Sequence, residues 1–447
     1  MKIELHDYDI YPKVFPVGVS AEITVKPQGV HAAFSGDYKI VVQQLGGGST
    51  VHAFSAWNHT DFETSVGEDG CLRFSYTADK EGELAVRIYQ KDSEQRIVQL
   101  NLYALDADLA ERIPLRGDLH IHTCRSDGHS DPAIVCADYR MKGYDFLVIT
   151  DHGWYGPSLE AIRAYKDVHT ALNILPGEEV HLPQTDVHIV NAGGLFSVNA
   201  LAYGGDINGI RYDASIPAPE IVPAEQYDRE LEEIEAEMTD VPADVNQRWY
   251  AVCVWAYRKI READGLCIFA HPYWIEDMYN VPEPLTKYLL EKHPFDAFEV
   301  LGGERYYQQN GFQTALYYEE YRRGNVLSVV GSTDSHNSTE NSPKSAICST
   351  IVFAHSNERR DLLQAIKDRY SVAVDTISAE YRLVGEHRFQ KYACFLMENF
   401  YPLHDRAALT DGELMRRYYL GEADASIVEA AAALSKKMFA KYFLTAE

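Results

Sequence analysis

Between Asp118 and Asp127 the chain reads Asp118-Leu119-His120-Ile121-His122-Thr123-Cys124-Arg125-Ser126-Asp127, with metal-ligand types at every second position of its first five residues. Extended backbone repeats every two residues, so Asp118, His120 and His122 share one face while Leu119 and Ile121 take the other. Two imidazoles side by side on a strand chelate a divalent ion, and a nearby carboxylate orients a ligand histidine through its second nitrogen. An HxH pair alone is weak evidence, because surface strands carry one by chance. The same arrangement recurs, however. Phe146 to Ile149 runs into Thr150-Asp151-His152, Leu266 to Ala270 into His271-Pro272, and Val326 to Val330 into Gly331-Ser332-Thr333-Asp334-Ser335-His336. Leu175-Pro176-Gly177-Glu178-Glu179 and Asp186-Val187-His188-Ile189-Val190 add further ligand types.

These residues need elements to hold them. Phe146 to Ile149, Leu266 to Ala270, Ala297 to Leu301, Val326 to Val330 and Ile347 to Phe353 are apolar runs that read as buried strands. Helices are expected between them near 131–142, 157–171, 245–264, 282–292, 312–323 and 357–369, the last capped by Ser356. Alternating strands and helices predict parallel strands with crossover helices, and the ligand types then fall at the strand ends where such folds assemble sites.

The set DLHIHT…SDG, ITDH, PGEE, HIV, AHP and GSTDSH, in this order over about residues 116–375, resembles the PHP (polymerase and histidinol phosphatase) superfamily of metallohydrolases. With a β domain ahead of the module, the chain is most similar to the carbaryl-hydrolase-like branch, while SDG and HIV also resemble small nucleotide phosphoesterases and exoribonucleases. The resemblance implies a distorted seven-stranded β/α barrel with two or three metal ions at its C-terminal strand ends. It implies His120, His122, Asp127, His152, Glu179, His188, His271, Asp334 and His336 as metal ligands, with Glu179, rather than Glu178, as the bridging carboxylate. His181 competes with His188 for one role, and the Ile-Val context favours His188. Some relatives carry a histidine near the position of Asp127, so two ions are as well supported as three.

The mixed imidazole and carboxylate shell suits Zn, Mn or Fe. Paired divalent ions acidify a water, polarise a substrate oxygen and stabilise a leaving group, so no side-chain nucleophile is required. Neither a GxSxG elbow nor a GxxxxGK[ST] loop occurs. The expected activity is a metal-dependent phosphoesterase acting on a small phosphorylated substrate; the alternatives are a carboxylic or carbamate ester hydrolase with the same centre, and a non-catalytic, metal-stabilised binding module. Asp118 and Asp151 are expected to orient ligands, Arg125 either to contact a phosphoryl group or to serve as a structural or surface residue, and Tyr273 and Trp274 either to stack on a substrate ring or to pack in the core.

Residues 1–113 carry short alternating runs separated by turn signals, including Gly46-Gly47-Gly48 and the candidate strand at 51–57, and predict a β-sandwich-like domain without chemistry of its own. The barrel is expected over 114–380, with an acidic helical insertion at about 204–264, and a helical C-terminal extension over 381–447. Between Pro217 and Asp244 ten acidic residues face the single basic Arg229, while Tyr227, Leu231, Ile234 and Met238 recur at helical spacing, as expected of a surface helix or a lid. A net charge of −26 argues against long nucleic acid as a partner. No signal segment and no long apolar run is present, and the seven cysteines are scattered without CxxC pairs. A cytoplasmic protein with reduced thiols is expected, with the C-terminal helices packing on the barrel or on another subunit.

Overall fold

The computed structural model describes residues 4–46, 59–203, 220–275, 277–302, 307–338, 348–376 and 382–444. The candidate strand at 51–57, Gly47, Gly48 and the start of the acidic insertion lie outside them. The chain forms two compact units. The first comprises Met1–Ile113, His387–Ala407 and Ala433–Glu447, and the second comprises Pro114–Glu386 and Ala408–Ala432, so the C-terminal residues are divided between the two.

In the first unit an antiparallel sheet of Tyr8–Tyr11, Ser20–Pro27 and Leu72–Thr77 accompanies a five-stranded sheet in the order Val14–Pro16, Arg96–Leu105, Gly82–Gln90, Asp37–Gln44, His59–Ser65. Ile10, Ile23, Val25 and Leu72 from one sheet join Ile40, Val86, Ile88 and Leu102 from the other in one apolar core, the consequence of period-two burial along each strand. Helix His387–Asn399 packs Tyr392 and Phe395 on Tyr103, at 5.0 and 5.3 Å between ring centroids. The Lys13 amide donates to the Tyr442 carbonyl (2.8 Å), which ties the end of helix Ala425–Tyr442 to the start of strand Val14–Pro16.

The second unit is a mixed α/β structure with two sheets. One runs in the order Asn173–Leu175, Phe146–Val148, Ile113–Asp118, Cys348–Ala354, Ser371–Asp375, Arg382–Val384. The other runs Gly177–Val180, Ile189–Ala192, Leu266–Phe269, Ala297–Leu301, Val329–Gly331. The expectation of parallel strands holds in part. Phe146–Val148 lies parallel to both of its neighbours, and Leu266–Phe269, Ala297–Leu301 and Val329–Gly331 are mutually parallel. Ile189–Ala192, by contrast, is antiparallel to both Gly177–Val180 and Leu266–Phe269. Its preceding loop returns the chain at once, with no crossover helix in between.

The expected strand at 118–122 is shorter: Ile113–Asp118 is regular, and beyond it extended backbone is held by the bridge Ile121↔Ser335. Helices form at Pro132–Met141, Gly156–Ala164, Gln247–Glu262, Glu283–Lys292, Tyr307–Arg323 and Arg359–Lys367. Glu358, rather than Ser356, occupies the N-cap position of the last, with no side-chain cap bond; the Ser356 hydroxyl accepts from the Glu358 amide and donates to Asp361. Helix Ala224–Glu237 buries Tyr227, Leu231 and Ile234, with Tyr227 edge-on to Trp255 at 4.8 Å and the Trp255 indole donating to Glu230 (2.7 Å). Its apolar stripe thus covers helix Gln247–Glu262. Among the described residues no helix is long and apolar enough to cross a membrane, and all seven cysteines are free thiols.

Candidate metal centre

Glu179 lies on strand Gly177–Val180 with no exposed side-chain surface, and six imidazoles surround its carboxylate. His188 Nδ1 (2.8 Å), His120 Nε2 (3.4 Å) and His271 Nε2 (3.4 Å) face Oε1. His152 Nδ1 (2.5 Å), His181 Nε2 (3.4 Å) and His122 Nε2 (3.6 Å) face Oε2. Asp334 Oδ1 lies 2.9 Å from His122 Nε2 and 3.4 Å from His120 Nε2. Further out, Asp127 stands 3.5 Å from His152 Nε2 and 3.3 Å from His336 Nε2. All the sequence-predicted ligands therefore converge, and His181 and His188 sit side by side at 4.3 Å between rings, so neither excludes the other.

Local structure explains the convergence. The Asp334 amide donates to the His120 carbonyl (2.9 Å) and the His122 amide to the Ser335 carbonyl (3.0 Å), which places both ligand pairs back to back. Asp334 takes a left-handed φ of 47°, a conformation aspartate tolerates better than most residues. Gly128 lets the next loop close: a Cβ there would come within 2.8 Å of the His122 backbone, while its amide donates to the Thr123 carbonyl (2.9 Å). On strand Gly177–Val180 adjacent residues point to opposite sides, so Glu178 turns away from the imidazoles. It accepts instead from Asn191, Ser197, the Val198 amide and Asn199.

Asp118 accepts from the amides of His120 (3.1 Å) and Thr333 (3.1 Å), bracing the backbone of both ligand pairs rather than orienting an imidazole. Burial lifts its carboxyl to about 7. Asp151 accepts from the amide and hydroxyl of both Thr123 and Ser126, shaping the loop that presents Asp127. The Arg125 guanidinium forms a two-point pair with Glu160 (2.9 and 2.5 Å) and reaches Asp131 (3.4 Å), a placement that fits the structural alternative for this residue. Tyr273 is buried against Tyr279 and Phe312, whereas half-buried Trp274 stacks beside His188 at 6.1 Å. Sequence reasoning missed Glu299, whose Oε2 lies 3.0 Å from His120 Nδ1. Its one signal is a carboxylate in the middle of the apolar strand Ala297–Leu301.

The electrostatics fit cation binding. Burial alone would raise Glu179, but His188 and His120 hold it well below the usual carboxylate range. Burial lowers His122 and His188 to about 4, outweighing even the short His188 contact with Glu179, so both rings are neutral at pH 7 with lone pairs available. His152, less deeply buried, is lifted to about 10 by Asp127 and Glu179. Despite these short approaches, both Glu179 oxygens, His120 Nε2, His122 Nδ1, His188 Nδ1 and both His271 nitrogens are buried and lack a hydrogen bond of good geometry. Each such atom costs about 1–3 kcal/mol. A divalent cation satisfies several of them at once, and the groups His120–His122–Asp334, Glu179–His188–His271 and His122–Asp127–His152–His336 are each compact enough to hold one.

No protein family matches the chain, and neither does any curated protein. Among solved structures it is similar to a two-domain protein from Bacteroides vulgatus containing a predicted PHP-like metal-dependent phosphoesterase, at 16% identity and a TM-score of 0.36, over 59% of this chain and 65% of that one. It is also similar to an amidohydrolase from Chromobacterium violaceum (20%, TM-score 0.30, 49% of this chain and 87% of that one). A third similar structure is a putative metal-dependent phosphoesterase from Bifidobacterium adolescentis (17%, TM-score 0.33, 50% and 89%).

Proposed function

We propose that this chain is a metal-dependent hydrolase whose centre holds two or three divalent ions, and that it acts as a phosphoesterase on small phosphorylated compounds. The observation that carries this reading is the buried Glu179 carboxylate with three imidazoles facing each oxygen. His120, His122, Glu179 and Asp334 would hold one ion, Glu179, His188 and His271 a second, and Asp127, His152 and His336 a third. Zn, Mn or Fe suits this donor set. Bound there, such ions would supply Lewis acidity that acidifies a water and neutralises charge on an ester oxygen.

The chain's own residues do the rest. Asp118 fixes the spacing of the two ligand pairs, Asp151 holds the Asp127 loop, and Trp274 offers an apolar wall beside His188. A distorted barrel of seven segments is the fold we assign to this unit. It is supported by backbone bonds that join its two sheets near the centre: Gly153 to Glu179 (2.8 Å) and His122 to Ser335 (3.0 Å).

One observation favours the second reading, a carboxylic or carbamate ester hydrolase. The guanidinium expected to bind phosphate is already paired with Glu160. Zn- and Mn-loaded protein assayed on aryl phosphate monoester, phosphodiester and carboxylic ester separates the two, with Asp334→Ala as the control for contaminants. Phosphoester cleavage lost in that variant supports the first reading; ester cleavage alone selects the second; no turnover with any of these metal and substrate pairs counts against both.

A further inference from the structure

We propose that Glu299 is a positioning residue of the metal centre, which fixes the tautomer and orientation of His120 from the side away from Glu179; this role rests on the metal-dependent reading above. His120 lies between two sets of carboxylates with its ring fully buried. Nδ1 is 3.0 Å from Glu299 Oε2, and Nε2 is 3.4 Å from both Glu179 Oε1 and Asp334 Oδ1. An imidazole that donates from Nδ1 to a carboxylate keeps its proton there and presents the Nε2 lone pair on the opposite side. Asp118, two residues away, accepts from the His120 backbone amide, so Glu299 is the carboxylate bonded to the ring.

The strand that carries Glu299 is itself held in place. Gln313 Nε2 donates to the carbonyls of Glu299 (3.0 Å) and Val300 (3.2 Å), and Asn310 makes two bonds to the Gly302 backbone (2.8 and 2.9 Å). A Cβ at position 302 would lie 3.2 Å from Glu299 Oε1 and 3.0 Å from Gln309 Nε2, so glycine leaves both side chains their room. His120, His271 and Glu299 are also close enough to hold an ion of their own. That arrangement would take His120 Nδ1 as ligand and leave Nε2 facing Glu179 and Asp334 without a role. A single tautomer with Nδ1 protonated satisfies both sides of the ring.

The test compares the full-length protein with Glu299→Gln and Glu299→Met, which preserve side-chain length while weakening or removing the acceptor. Zn stoichiometry and affinity are measured by chelator competition, and the ring protons of 15N-histidine-labelled protein are followed with and without Zn. The expected result is unchanged stoichiometry, with the affinity of one ion reduced about 10- to 100-fold in Glu299→Met and less in Glu299→Gln. One protected Nδ1–H signal should vanish in Glu299→Met. Wild-type affinity together with an unchanged Nδ1–H signal in Glu299→Met would reduce Glu299 to packing and overturn the proposal. Loss of one whole ion in both variants would make Glu299 a ligand and overturn it equally. Wild-type protein that binds no Zn or Mn would instead remove the metal-centre reading on which the role depends, a result the variants alone cannot produce.

Discussion

Asp151 Oδ1 accepts from both the amide (3.0 Å) and the hydroxyl (2.5 Å) of Ser126, the residue before Asp127. The loop that presents Asp127 is thus anchored on the residue before His152. Asp151→Ala is expected to weaken the ion held by Asp127, His152 and His336 about 10- to 100-fold while leaving the inner positions filled. Metal analysis after dialysis at graded chelator concentrations checks this; uniform loss of all ions would show that Asp151 supports the whole fold.

Asp334→Ala and His120→Ala each remove a donor from the inner part of the centre. Both variants are expected to retain wild-type circular dichroism and to lose at least about 1,000-fold in kcat/KM, the scale of effects seen when residues acting as one unit are removed. Wild-type rates in both would sink the site assignment.

Arg125→Ala is expected to change kcat/KM less than about threefold and stability by no more than about 1 kcal/mol, because the partly exposed Arg125–Glu160 pair is screened by solvent. A large rise in KM for a phosphorylated substrate alone would return Arg125 to the phosphate-binding role.

Metal should stabilise the second unit. Four of the five tryptophans, Trp154, Trp249, Trp255 and Trp274, belong to it, so fluorescence reports its unfolding. Zn at about 100 times its dissociation constant should add about 2.7 kcal/mol, and chelator should reverse the shift. An unchanged midpoint would count against a metal centre.

Lys13 is fully buried, and burial lowers its ammonium from 10.5 to about 8. Between pH 8 and 10.5 the unfolded chain binds the proton that the folded protein has lost, so stability rises with pH across that window. Below pH 8 the penalty is present in full, at about 3 kcal/mol. Lys13→Met should stabilise the first unit at pH 7 and flatten its stability between pH 8 and 10.5, as measured by urea unfolding at several pH values.

Much of the centre was legible because its donors lie close together in sequence and at period-two spacing. His120 with His122 and Asp334 with His336 are cases of this kind, and His181 follows Glu179 at the same spacing, one residue beyond the strand. Glu299 was not legible: its imidazole partner is 179 residues away, and one carboxylate in an apolar run has no local pattern. Strand direction was also hidden. Ile189–Ala192 is buried along its whole length, as are the mutually parallel strands of its sheet, and burial carries no record of orientation. The pairing of Arg125 was not legible either, because its position beside the motif says nothing of Glu160, which comes from helix Gly156–Ala164.

Adjacent Glu178 and Glu179 also make the strand tolerant of misalignment. A slip of one residue against Ile189–Ala192 turns every side chain over, yet in the direction that moves Glu178 into the place of Glu179 it would still deliver a carboxylate to the imidazoles. What such a slip would forfeit is the cage of Asn191, Ser197, Val198 and Asn199 donors behind. A one-residue change in the turn after this strand that imposes this slip is therefore expected to cost stability before it costs metal affinity.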